Sequence, residues 1–102
     1  MTKNSLNNLH ERATAYILRA HILEVSGNKR KSRESYAKAA SIEERILSKT
    51  KSSGIEFGPI VLSAASCYSK AGNKERANLI AQNYYYNDIL FPYRKQLEQF
   101  LF

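Results

Sequence analysis

The sequence predicts an all-α fold: two antiparallel helix–turn–helix hairpins followed by a short C-terminal helix. Three observations predict it. Ser26-Gly27-Asn28-Lys29-Arg30-Lys31-Ser32 returns 45 residues later as Ala71-Gly72-Asn73-Lys74-Glu75-Arg76-Ala77. The residues around each copy are apolar at steps of three and four, the period of one helix face. The chain of 102 residues holds only 4 Gly and 2 Pro, so long stretches carry no helix breaker.

The repeated stretch reads as a turn with a physical job for each residue. A helix commonly ends on a residue in the left-handed conformation, which glycine adopts without a Cβ clash. Gly27 and Gly72 would end one helix, and Asn28 and Asn73 would cap the next by accepting from its free N–H groups. Ser32 and Ala77 are small, as a close crossing of two helices near the turn requires. A phosphate-cradling loop would need several glycines after a strand, and the sequence has neither.

The first helix is expected over about residues 4–26, with Leu6, Leu9, Ala13, Tyr16, Ala20 and Leu23 as its stripe. Ile17, Ile22 and Val25 widen that stripe, which implies more than one neighbour. The second helix runs from Arg30 to about Lys49, burying Tyr36, Ala39, Ala40, Ile46 and Leu47, and Glu34 and Lys38 support it at i, i+4. The polar run from Ser48 to Gly54 reads as the linker between the hairpins. Pro59 suits the first turn of the third helix, where Val61, Ala64, Ala65, Tyr68 and Ala71 share a face, and Ile55 and Phe57 would tuck the loop inward. The fourth helix runs from about Lys74 into Tyr84-Tyr85-Tyr86, with Ala77, Ile80, Ala81 and Tyr84 inward. Of the 7 Tyr and 4 Phe, seven lie between Tyr84 and Phe102. Pro92 breaks or kinks the chain there, and Tyr93 to Phe102 would form a short fifth helix with Leu97, Phe100 and Leu101 apolar. The expected organisation is one domain, 1–102, made of hairpins 4–51 and 59–86 and an aromatic segment 87–102.

Composition narrows the function classes. Apolar residues make up 43%, enough for a modest core. No apolar run approaches the ~20 residues of a membrane span, and Met1-Thr2-Lys3-Asn4-Ser5 lacks a signal-peptide core. A single Cys67 permits no intrachain disulfide, which points to a reducing cytoplasm. A net charge of +7 suits acidic partners. The chemistry-bearing residues are sparse. His10 and His21, with Glu24 one turn further on, are too few and too widely spaced for a metal site, for which three or four ligands are usual. Cys67 sits in an apolar helix and reads as a core thiol. No catalytic site, metal or cofactor is expected.

At this spacing the chain resembles a tetratricopeptide-repeat protein over about Thr14 to Tyr86. The family's glycine, small, aromatic and alanine positions fall on Gly27, Ser32, Tyr36 and Ala39, and again on Gly72, Ala77, Ala81 and Tyr84, with Ala65 and Tyr68 before the second glycine. The repeat of 45 residues exceeds the family's usual length of about 34, and the closing proline is missing. A degenerate repeat, a plain helical bundle of the same topology and a microtubule-interacting-and-trafficking-type domain all fit. Two repeats are fewer than the roughly three that make a stable array, so a terminal cap or a second subunit would help.

The resemblance implies a non-catalytic protein–protein interaction module, with a groove lined by Thr14, Ile17, His21 and Glu24 in the first unit and Leu62, Ser66, Ser69 and Lys70 in the second. The family's carboxylate clamp uses Lys, Arg and Asn there, and only Lys70 is of that type. From the residues alone, the aromatic tail (Tyr85, Tyr86, Phe91, Tyr93, Phe100, Phe102) reads as a packed cap or a self-association interface. The basic turn, Lys29, Arg30, Lys31 and Arg33 with Lys49 and Lys51 as extensions, supports the runner-up reading, nucleic-acid binding, less well than it supports a solvated turn.

Overall fold

The computed structural model describes residues 3–50 and 57–101, and Lys51, Ile55 and Phe102, with most of the expected linker, lie outside them. The protein is all-α. Helix α1 spans Lys3–Val25, α2 Lys29–Lys49, α3 Phe57–Lys70 and α4 Lys74–Tyr84. A 3-10 helix, Asp88–Tyr93, a single α-helical turn α5, Arg94–Leu97, and a 3-10 turn, Glu98–Phe100, finish the chain.

The two turns are built alike. Gly27 and Gly72 have φ of +87° and +90°. Asn28 N–H donates to the Leu23 carbonyl at 2.9 Å and Asn73 N–H to the Tyr68 carbonyl at 2.8 Å, the wide bond of a glycine-ended helix. Asn28 Oδ1 then accepts from Lys31 N–H and Asn73 Oδ1 from Arg76 N–H, starting the next helix. A Cβ at Gly72 would meet nothing within 4 Å, so only the backbone angle resists a side chain. Gly72→Ala is therefore expected to cost about 1–2 kcal/mol, a melting-point drop on the order of 5–10 °C. An unchanged thermal melt would remove the turn from the list of determinants.

Each helix packs on the next in sequence, α1 on α2, α2 on α3 and α3 on α4, giving a flat body of 39 × 36 × 18 Å. Buried Ser32 and Ser35 draw α2 close to α1, donating to the carbonyls of Ala20 at 2.7 Å and Tyr16 at 2.8 Å. The main core runs from Leu9 and Ala13 of α1 through Ile46, Phe57 and Val61 to Ile80 and Ala81. A smaller cluster near the first turn gathers Ala20, Tyr36, Ala39, Ala40 and Cys67.

The third helix begins at Phe57, two residues before Pro59, because Phe57 and Gly58 are buried and Tyr93 lies over Gly58. The tail differs from the single short helix expected. With Pro92 inside the first 3-10 segment, it is broken into three short pieces. That break lets Leu90, Leu97 and Phe100 all enter the main core, at 0%, 0% and 8% exposure. Arg94 Nε donates to the Tyr85 carbonyl at 2.8 Å, and Asn78 donates to the Phe100 carbonyl at 3.1 Å. The tail thus caps α3 and α4.

Candidate functional site

The row of helices has unlike ends. At the C-terminal end the tail covers α3 and α4, while α1 packs principally on α2 and closes nothing beyond itself. Helix α1 is apolar on two opposite sides. Leu9, Ala13 and Ala20 face α2 and are 5%, 0% and 0% exposed. Leu18 and Ile22 flank Ala20 by two residues, about 200° around the helix. Leu18, Ile22 and Val25, at i, i+4 and i+7, are 60%, 57% and 75% exposed. Exposed Arg12 and Arg19 border this stripe on one side, and exposed Thr14 and His21 on the other. The periodicity made Ile22 and Val25 legible as apolar; only the packing reveals that no element of the described chain covers them.

At the stripe's C-terminal end stands the basic turn. Glu24, Lys29, Ser32, Arg33 and Lys70 line a pocket of about 240 Å³. Lys29 and Arg33 are one turn apart on α2, and Lys70 arrives from the end of α3, its Nζ 5.4 Å from the centre of the Tyr36 ring. The pocket joins two expected groups, the groove residues Glu24 and Lys70 and the basic residues Lys29 and Arg33. The remaining basic residues go elsewhere. Arg30 makes an exposed ion pair with Glu34 at 3.9 Å, worth little in water. Lys31 faces a different pocket beside Tyr16 and Lys38.

The other groove positions separate too. Ile17 turns inward onto the cluster around Ala20 and Tyr36, and Leu62 packs on the main core. Ser66 is half-buried. Ser69 accepts from Lys74 Nζ at 2.6 Å and lines a pocket with Phe100, on the α4 side of α3. Among the tail aromatics, Phe100 is core and Tyr93 is partly buried, whereas Tyr86 and Phe91 are 81% and 68% exposed. Tyr85 stacks edge-on with Tyr86, and its hydroxyl donates to Glu98 at 2.8 Å.

Two neighbouring carboxylates on α2 have opposite surroundings. Glu44 takes Arg76 Nε at 3.0 Å and the Tyr68 hydroxyl, tying α2 to α3 and α4. Burial pushes its pKa up, but the bonds from Arg76 and Tyr68 and the guanidinium charge outweigh burial and leave it below 4.5. A group depressed on folding contributes stability above its unfolded pKa and loses it as pH falls through the folded value. Glu44→Gln is therefore expected to lower neutral-pH stability and to flatten the acid limb below about pH 4.5, read by circular dichroism during acid titration. An unchanged acid limb would mean that this node does not link the helices energetically. Glu43 is instead buried, at 5% exposure, and burial raises its pKa. Sequence reading missed it, although residue 43 fills the gap in the buried stripe of Tyr36, Ala39, Ala40, Ile46 and Leu47.

Cys67 is buried, and its thiol is pushed up to about 11, first by burial and then by the charge of Glu43. It stays protonated near neutral pH and is a poor nucleophile. Among the described residues no group of three His, Cys, Asp or Glu could hold a metal ion. No helix of the described residues is long and apolar enough to cross a membrane. No family model matches the chain, and comparison with curated proteins and with solved structures finds no match either.

Proposed function

We propose that the protein is a non-catalytic protein–protein interaction module of tetratricopeptide-like type, and that it docks an acidic amphipathic helix along the outer face of α1. The observation that carries this reading is the exposed stripe of Leu18, Ile22 and Val25 on a helix whose opposite face buries Leu9, Ala13 and Ala20. Burying each of these side chains would contribute about 1–2 kcal/mol. The likeness of the two glycine turns supports the repeat reading. In a row of helices an open end needs a polar face or a partner, and α1 offers an apolar one.

The borders choose the partner. Arg12 and Arg19 run along one side of the stripe, and Lys29 and Arg33 follow its C-terminal end in the chain, so an acidic flank on the incoming helix gains on the arginine side. Antiparallel self-pairing about Leu18 and Ile22 would bring Arg19 against its symmetry mate, which disfavours a homodimer of that geometry. A free, buried Cys67 suits a reducing, cytoplasmic setting.

The test uses synthetic amphipathic helices of about three heptads, Leu on one face and either Glu or Lys on the flanks. Saturable binding of the Glu helix, at least about tenfold tighter than that of the Lys helix, is the expected result. Equal binding of both, or none, defeats the proposal. A second reading, phosphate binding at the pocket of Lys29, Arg33 and Lys70, rests on those three cations. It requires single-stranded nucleic acid to bind with a steep loss as salt rises.

A further inference from the structure

A second cleft lies between the N-terminal half of α1, the middle of α2 and the start of α3. It measures about 480 Å³, and its lining includes Asn7, His10, Glu11, Glu43, Ile60 and Ser63. Glu43 forms part of its wall and is 5% exposed. Ser63 lies beside the Glu43 carboxyl group and favours its ionised form. Among the described residues Glu43 Oε2 has no hydrogen-bond partner. A buried carboxylate oxygen without a donor is costly, and a bound water or a ligand ordinarily completes it.

The surroundings define what such an oxygen would accept. Glu11 adds a second carboxylate to the lining, so the cleft is locally acidic on a chain of net charge +7. Burial raises the Glu43 pKa, and Ser63 and the neighbouring His10 of α1 offset part of that, while Cys67, nearby on α3, remains a neutral thiol. A metal ion is a poor fit, since the described residues bring no three suitable ligands together. A guanidinium fork is built to engage both oxygens of one carboxylate, and here only Oε2 is left without a partner among the described residues. A compact ammonium group needs only a single free oxygen and offers N–H donors to it.

We propose that this cleft binds a primary alkylammonium group, with the Glu43 carboxylate turning to present Oε2 to the ammonium and Glu11 adding a second negative charge. The group belongs either to a free amine or to the lysine side chain of another protein. The site uses none of Leu18, Ile22 and Val25 and does not depend on the function proposed above.

The test titrates the full-length protein with 1,4-diaminobutane and, separately, with the peptide acetyl-Gly-Lys-Gly-amide, following backbone amide resonances. The expected result is saturable shifts around His10, Glu43 and Ser63 with at least one probe, and affinity at least about tenfold weaker in Glu43→Gln. Binding of the diamine alone identifies a free amine, and binding of the peptide alone identifies a lysine side chain. Binding of both shows that the ammonium itself is recognised. A wild-type control with uncharged 1,4-butanediol keeps the proposal testable should Glu43→Gln fold poorly. Equal binding of the diol, no saturable binding of either amine, or unchanged affinity in a folded Glu43→Gln protein would overturn it.

Discussion

Removing the chain after Asn87 is expected to leave a protein that does not fold. The tail places Leu90, Leu97 and Phe100 in the main core, at 0%, 0% and 8% exposure. Each large buried side chain removed costs about 2–5 kcal/mol, and a whole domain is stable by only about 5–15 kcal/mol. The truncation also strips the Phe100 carbonyl from buried Asn78 and the Arg94 side chain from the Tyr85 carbonyl. Three losses on that scale exhaust the stability of a domain this size. The graded version is Leu97→Ala, which keeps the backbone bonds and is expected to cost about 2–5 kcal/mol in a urea melt. A truncated chain that still melts cooperatively would show that α1 to α4 stand alone and that the tail is an accessory.

That expectation reverses one way of reading the aromatic tail. The concentration of Tyr and Phe after Tyr84 is equally consistent with an interface and with a cap, because both need large apolar side chains. What separates them is which side chains face α3 and α4, and that depends on where the helix breaks around Pro92. The glycine turns were legible because only glycine sits comfortably at φ near +90°, so the sequence had to declare them. The helices themselves were legible from their period. The division of the basic turn was less so: Lys29 and Arg33 lie on one side of α2, and Lys31 faces another pocket, a consequence of 100° per residue that a run of charges conceals. Glu43 was illegible for a different reason. A glutamate is read as surface by default, and its burial comes from α1 and α3 closing over α2.

The second large effect concerns the outer face of α1. Leu18→Asp combined with Ile22→Asp is expected to weaken binding of the acidic amphipathic helix by at least about a hundredfold, some 2.8 kcal/mol. Both side chains are more than half exposed, so the folded protein loses little contact when they change. The melting temperature is expected to stay within a few degrees of wild type, since exposed substitutions usually shift stability by less than about 0.5 kcal/mol. The two aspartates act twice, by removing apolar area and by repelling the acidic flanks of the partner. Arg19→Glu gives an intermediate result, weakening the Glu-flanked helix and favouring the Lys-flanked one. A double variant that binds as well as wild type would move the partner surface elsewhere, with exposed Tyr86 and Phe91 the next place to look.

The most direct measurement maps amide resonances of the intact protein as the Glu-flanked helix is added. Docking on the open end of the helix row predicts saturable shifts along Leu18, Ile22 and Val25, continuing to Lys29 and Arg33, with the tail undisturbed. Shifts confined to Tyr86 and Phe91, or scattered and unsaturable, would contradict it.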